Sequence, residues 1–131
     1  MSPRACVVAA LSLLLAACGG TSATSPSATD IGSPGPSGAT ITILATGAVS
    51  PKTVQISAGQ SVTFINNDVR SHEMDSDPHP AHNQCPPINA VGLIAPGQTK
   101  LTNALTTVMS CGFHDHGDPE NVNLQGTIAI K

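Results

Sequence analysis

An all-β, antiparallel sandwich is the fold class this sequence predicts, on three observations. Short runs of β-branched residues recur between turn residues, and helical periodicity is nearly absent. About seven such runs fit within the length of a single domain, the pattern of a sandwich rather than of a helical or alternating fold.

Each element carries its own signal. Ile41–Leu44 reads as a strand, and Gly47, Ser50 and Pro51 interrupt the chain after it. Thr53-Val54-Gln55-Ile56 alternates, with Val54 and Ile56 on one face. Ala58-Gly59-Gln60 is a turn, and Ser61–Ile65 begins the next strand. Asn66-Asn67-Asp68 ends it, since these side chains bond their own backbone. Val69–Asn89 shows no strand pattern and carries His72, His79 and His82. A loop of that length in a compact domain is usually functional or disordered, and its Pro- and His-rich make-up argues for a site. Strands resume after Ala95-Pro96-Gly97-Gln98, over Thr99–Leu105 and from Thr106–Ser110 into Cys111, and Gly126–Lys131 closes the chain.

The first residues read as an export signal. Met1–Arg4 is a short positive start, and Val7–Ala17 is an apolar run too short for a membrane span, which needs roughly 20 apolar residues. Leu15-Ala16-Ala17-Cys18 resembles the lipobox of bacterial lipoproteins, which implies that residues 1–17 are removed and Cys18 carries lipid. Such an anchor holds a protein on a membrane surface without spanning it. The stretch from Cys18 to Ala39 is mostly Gly, Ser, Thr, Ala and Pro, cannot bury apolar surface, and is expected to be a disordered tether. The folded domain is then expected over Thr40–Lys131, a size that profits from a covalent or metal staple.

Composition excludes several classes. Beyond the leader only Lys52, Arg70, Lys100 and Lys131 are basic, against 8 acidic residues, so no basic patch exists for nucleic acid. Tyr and Trp are absent and Phe64 and Phe113 are the only aromatics, which leaves little to stack on bases. No Ser/His/Asp arrangement or phosphate loop is present, and the chain is not expected to be an enzyme.

Chemistry gathers on histidine. All 5 histidines fall in the long loop or in the segment after Cys111. His114 and His116 are two apart, so on extended backbone both rings leave one face. His79-Pro80-Ala81-His82 adds two more, with proline restricting the loop. Imidazole donors suit copper, zinc or nickel, and copper(II) stands first among them by the affinity order. The acids Glu73, Asp75, Asp77 and Asp115 are placed to orient imidazoles by accepting their second N–H.

Five pieces in order, Val62-Thr63-Phe64-Ile65-Asn66-Asn67-Asp68, His72, Ala95-Pro96-Gly97-Gln98, Cys111-Gly112-Phe113-His114 and Gly126-Thr127-Ile128, resemble the plastocyanin- and azurin-like cupredoxin family. The resemblance covers nearly all of Thr40–Lys131 and implies a Greek-key sandwich with a copper ion. It puts His72, Cys111 and His114 at ligand positions. The family's axial methionine has no counterpart after His114, where Leu124 stands, and Met74 is the nearest substitute. Gly112-Phe113-His114-Asp115-His116-Gly117-Asp118 also looks like a segment of the copper/zinc superoxide dismutases, without their flanking pattern.

With Cys6 lost and Cys18 lipidated, Cys85 and Cys111 remain, and two arrangements stand open. Either Cys111 is a free thiolate ligand of a blue electron-transfer centre, or it pairs with Cys85 in a disulfide, as cysteines of exported domains often do. Pro78–His82 with His114-Asp115-His116 resembles a His-rich cupredoxin-like subgroup, some members of which keep the histidines and lack both cysteines. That implies the disulfide together with an all-histidine site.

The expected function is an exported, lipid-anchored copper-binding protein in electron transfer or copper handling, with His72, His114 and His116 at the metal and His79 or His82 closing the site. Its partners would be a membrane surface and a redox or copper-accepting protein. Two other functions fit the same residues: copper storage and delivery through imidazoles alone, and a metal-free interaction module.

Overall fold

The structure, a computed structural model, describes residues 35–131. The export signal, Cys18 and most of the tether lie outside the described residues.

Among the described residues there are nine strands: β1 (Ser37–Leu44), β2 (Ala48–Ser50), β3 (Thr53–Ile56), β4 (Ser61–Asn66), β5 (His72–Ser76), β6 (Leu93–Ile94), β7 (Thr99–Leu101), β8 (Ser110–Asp115) and β9 (Gly126–Ile130). They form a four-stranded sheet in the order β2, β1, β4, β7 and a five-stranded sheet in the order β3, β9, β8, β5, β6. The sandwich expected from the sequence is therefore present, but its sheets are mixed rather than purely antiparallel. β1 runs parallel to β4, and β3 parallel to β9. The reason is topological: turn residues mark where strands end, while pairing depends on crossovers between sheets, which short-range patterns do not record.

Three boundaries also move. β1 opens at Ser37, inside the expected tether, because Ser37–Ala39 pair with Ser61 and Val62 of β4. The expected strand over Thr99–Leu105 stops at Leu101, leaving Leu105 in an isolated bridge to Gln60. The long segment Val69–Asn89 contains β5 and the start of a 3-10 turn over Pro86–Val91. β5 reads His-Glu-Met-Asp-Ser and hides from an apolar alternation test because only Met74 is apolar.

Ile41, Ile43, Val62, Phe64, Ile88, Ile94, Phe113 and Ile128 fill the interior without exposure. Phe64 of β4 and Phe113 of β8, one from each sheet, meet edge to face with ring centres 5.4 Å apart.

β8 decides where the chemistry goes. Its successive side chains alternate faces. Cys111, Phe113 and Asp115 turn inward, with Cys111 and Phe113 in the core, so Gly112 and His114 face outward. β5 pairs with it in antiparallel register, Met74 opposite Asp115, Asp75 opposite His114 and Ser76 opposite Phe113. Directly opposed residues share a face, so Met74 points into the core and Asp75 joins His114 on the outer face.

Candidate metal centre

The outer face of β5 and β8 is roofed by the loop Asp77–Gln84. Backbone bonds tie the loop's ends: Asp77 N–H donates to the Gly112 carbonyl (3.0 Å) and Gln84 N–H to the Asp77 carbonyl (2.9 Å). The Gln84 amide clamps the strand, accepting from Gly112 N–H at 2.9 Å and donating to the Ser110 carbonyl at 3.3 Å. Asn89 donates to the His82 carbonyl at 2.8 Å and accepts from Ser76 N–H at 2.9 Å. Immediately beyond the loop, Cys85 forms a disulfide with Cys111. Of the two arrangements open in the sequence, the disulfide is the one present.

This fixing brings four imidazoles together. His79, exposed, and His82, half-buried, come from the loop; His114, buried, from β8; and His116, exposed, from just beyond it. His116 N–H donates to the Glu73 carbonyl at 2.7 Å, prolonging the extended backbone so that its ring shares a side with His114. Ring centres lie 5.3 Å apart for His79 and His82, 5.1 Å for His82 and His114, and 4.9 Å for His82 and His116. His82 sits at φ 45°, a left-handed conformation uncommon for a residue with a side chain and one that concentrates at functional sites.

Carboxylates lie beside three of the four rings. His114 Nδ1 is 2.6 Å from Asp77 Oδ1, and Asp75 Oδ2 lies 3.3 Å from His82 Nδ1 and 3.1 Å from His116 Nδ1. A ring donating its Nδ1–H to a carboxylate carries its lone pair on Nε2. The Nε2 atoms of His82 and His114 lie 3.2 Å apart, with His79 Nδ1 3.3 Å from His82 Nε2, and the bond to Asp77 turns the His114 Nε2 lone pair toward His82. Ring nitrogens this close are held together either by a shared proton or by a cation between them. Two nitrogens bound at roughly 2.0–2.1 Å to one tetrahedral ion are separated by about 3.3 Å, which matches both spacings. Burial holds the His82 imidazole below the usual histidine range; the nearby His114, His116 and His79 rings act in the same direction and Asp75 against them. A ring that resists protonation keeps its lone pair for a metal. The donor set His79, His82 and His114 can thus hold a metal ion, and so can a second set, Asp75, His82 and His116.

Other residues expected at the metal lie elsewhere. His72 is on β5 but two residues from Met74, on the inner face. Both its ring nitrogens are taken by carboxylates, Nδ1 by Asp115 at 2.6 Å and Nε2 by Asp68 at 3.0 Å. It joins the end of β4 to β5 and β8 instead of facing the cluster. Its hydrogen bond, helped by Val69 N–H and by Arg70, holds the Asp68 carboxyl below the usual carboxylate range against the effect of burial. Asp68 N–H in turn bonds the Asn66 side chain at 2.9 Å, the self-bonding turn expected of Asn66-Asn67-Asp68. Cys111 is not a thiolate, and as an inward residue it faces away from His114. Met74 has no exposure and packs in the core, away from an axial position.

Of the expected orienting acids, Asp75, Asp77 and Asp115 do contact histidines, while Glu73 contributes only its backbone. Sequence reasoning missed Asp68, Gln84 and Gly112. A Cβ on Gly112 would meet the Asp77 carboxylate and push it aside, so a glycine here leaves Asp77 its place against His114. The motif Cys111-Gly112-Phe113-His114 held that signal without showing its cause.

No protein-family model and no curated protein matches the chain. Solved structures do. The purple cupredoxin of Nitrosopumilus maritimus superposes with a TM-score of 0.51 at 17% identity, over 71% of this chain and 99% of that one. Oxidised plastocyanin from Dryopteris crassirhizoma gives 0.54 at 19% identity, over 70% and 99%. An amicyanin variant gives 0.54 at 13% identity, over 72% and 82%. At these identities the likeness is one of fold, and the fold of this chain is the cupredoxin β-sandwich.

Proposed function

We propose that this chain binds copper through imidazoles alone, at His79, His82 and His114 with His116 beside them, and serves to hold and hand on the ion. The single observation that carries the reading is the convergence of three imidazoles, with His82 Nε2 3.3 Å from His79 Nδ1 and 3.2 Å from His114 Nε2. Exposed His79 and His116 give an ion a way in and out. A thiolate electron-transfer centre finds no thiolate here, since Cys111 is disulfide-bonded. We further propose export and lipid anchoring at Cys18, which would place the protein on a membrane surface where copper and an oxidising environment coexist.

The tetrahedral spacing suits copper(I) and zinc(II) alike, so zinc is the second reading. Competitive titration of the full chain with copper(I), copper(II) and zinc(II) tests both. The copper reading expects copper to displace zinc, and a His114→Ala variant to lose most of the affinity. Stronger retention of zinc would establish the second reading, and no binding of any of these ions would overturn both.

A further inference from the structure

His82 belongs to both donor sets, and its two ring nitrogens have different neighbours. Its Nε2 faces His79 Nδ1 and His114 Nε2 at 3.3 and 3.2 Å. Its Nδ1, on the opposite side of the ring, faces Asp75 Oδ2 at 3.3 Å, and the same oxygen is 3.1 Å from His116 Nδ1. One oxygen and two nitrogens therefore make a second triad, their atoms within 4.8 Å of one another.

The contacts of Asp75 differ from the other histidine–carboxylate contacts in this chain. Asp77 with His114 and Asp115 with His72 are at 2.6 Å, tight hydrogen bonds. A charge-assisted N–H···O bond is roughly 2.7–2.9 Å long; the two to Asp75 are longer and share one oxygen. Their lengths match the edge of a coordination polyhedron, about 3.3 Å for ligands at roughly 2.0–2.1 Å from a tetrahedral ion. Asp75 is buried beneath the loop, where an anion needs a cationic partner, and no lysine or arginine makes an ion pair with it among the described residues.

Resting on the copper reading above, we infer that the chain holds two cations bridged by the His82 ring, one in the His79–His82–His114 set and a second in the Asp75–His82–His116 set. Binding the second ion displaces the Nδ1 proton of His82 to solvent, so the ring becomes an imidazolate with one nitrogen on each metal. The first set offers three imidazoles and the second two with a carboxylate, so copper fills the first set before the second. The site binds a pair of copper(II) ions, or a copper and another divalent ion.

The test is copper(II) titration of the full chain, read by metal content and by electron paramagnetic resonance. The expected result is two ions per chain, with the resonance growing over the first equivalent and shrinking over the second, because imidazolate couples the two spins. His116→Ala, at an exposed position, should stop at one ion, with no fall in the resonance when a second equivalent is added. Asp75→Asn should likewise show no fall in the resonance over a second equivalent, with weaker binding of the first ion because His82 loses its carboxylate neighbour, and circular dichroism reports whether that buried variant has kept its fold. A wild-type chain that saturates at one ion overturns the inference while leaving the copper reading intact. Two ions with additive, uncoupled signals overturn the bridge, and failure to bind any copper overturns both.

Discussion

Cys111 and His114 stand three residues apart on one extended strand, and their side chains leave it on opposite faces, the sulfur into the core and the imidazole toward the loop. A thiol released at position 111 still could not reach an ion held by His114. Cys85→Ser, which frees Cys111, should therefore give a copper(II) spectrum without an intense thiolate band. The same variant should lose about 3–4 kcal/mol of stability, the loop-closure contribution of a bridge this far apart in sequence. A strong visible band on adding copper would defeat this assignment of faces.

Met74 lies in the core with no exposure, on the face of β5 opposite Asp75. Met74→Leu conserves volume and should cost under about 1.5 kcal/mol, leaving copper affinity and spectrum unchanged. A changed spectrum would restore the thioether as a ligand.

Asp77 holds the His114 ring, and Gly112 leaves room for Asp77. Asp77→Asn should weaken metal binding by roughly 10–100-fold, the usual effect of losing a carboxylate behind a ligating imidazole. Gly112→Ala should weaken it similarly by pushing that carboxylate aside, although residue 112 touches no metal. Isothermal titration of both variants checks the pair; wild-type affinity in Gly112→Ala would show that Asp77 has room to move without releasing His114.

Stability of the metal-free chain should fall with acid in two stages. His82 in the folded chain is protonated less readily than its ordinary value of 6.5, so the unfolded chain takes up more protons below that pH. Its contribution is complete above pH 6.5 and is lost as the pH falls through the lowered folded value. Asp68, held below 3.8 by its bond to His72, behaves alike lower down: its contribution is complete above pH 3.8 and fades as acid protonates it in the folded state. Urea unfolding across a pH series should show both stages, His82→Ala removing the upper and Asp68→Asn the lower. A flat profile through both windows would contradict the burial of His82 and the bonding of Asp68.

Much of the framework could be read along the chain. Thr53–Ile56, Ser61–Asn66 and Gly126–Ile130 announce themselves by alternating branched residues, and they are strands with inward Val54, Ile56, Val62, Phe64, Ile128 and Ile130. The clustering of His79, His82, His114 and His116 was legible too, because the loop and the last strand but one are His-rich in sequence. What stayed hidden depends on long-range register. β5 is polar because one face meets the imidazoles and the other carries His72 to its carboxylates, so no apolar period marks it. The cupredoxin resemblance implies a ligand at His72, after the Asn-rich strand end, yet only the pairing of Met74 with Asp115 decides that it turns inward. The choice between thiolate and disulfide likewise hung on where Cys85 lands, which neighbouring residues do not record.

The division of labour along β8 has a consequence for how such a protein can change over generations. Residues 111, 113 and 115 face the interior of the sandwich, while 112, 114 and 116, with a single loop, form the candidate site. Substitutions in that loop would change the candidate donors at positions that are not themselves part of the core. Selection on metal preference and selection on foldability therefore act on interleaved but separate sets of positions. A lineage carrying this architecture is free to drift from one ion to another while its sandwich stays intact.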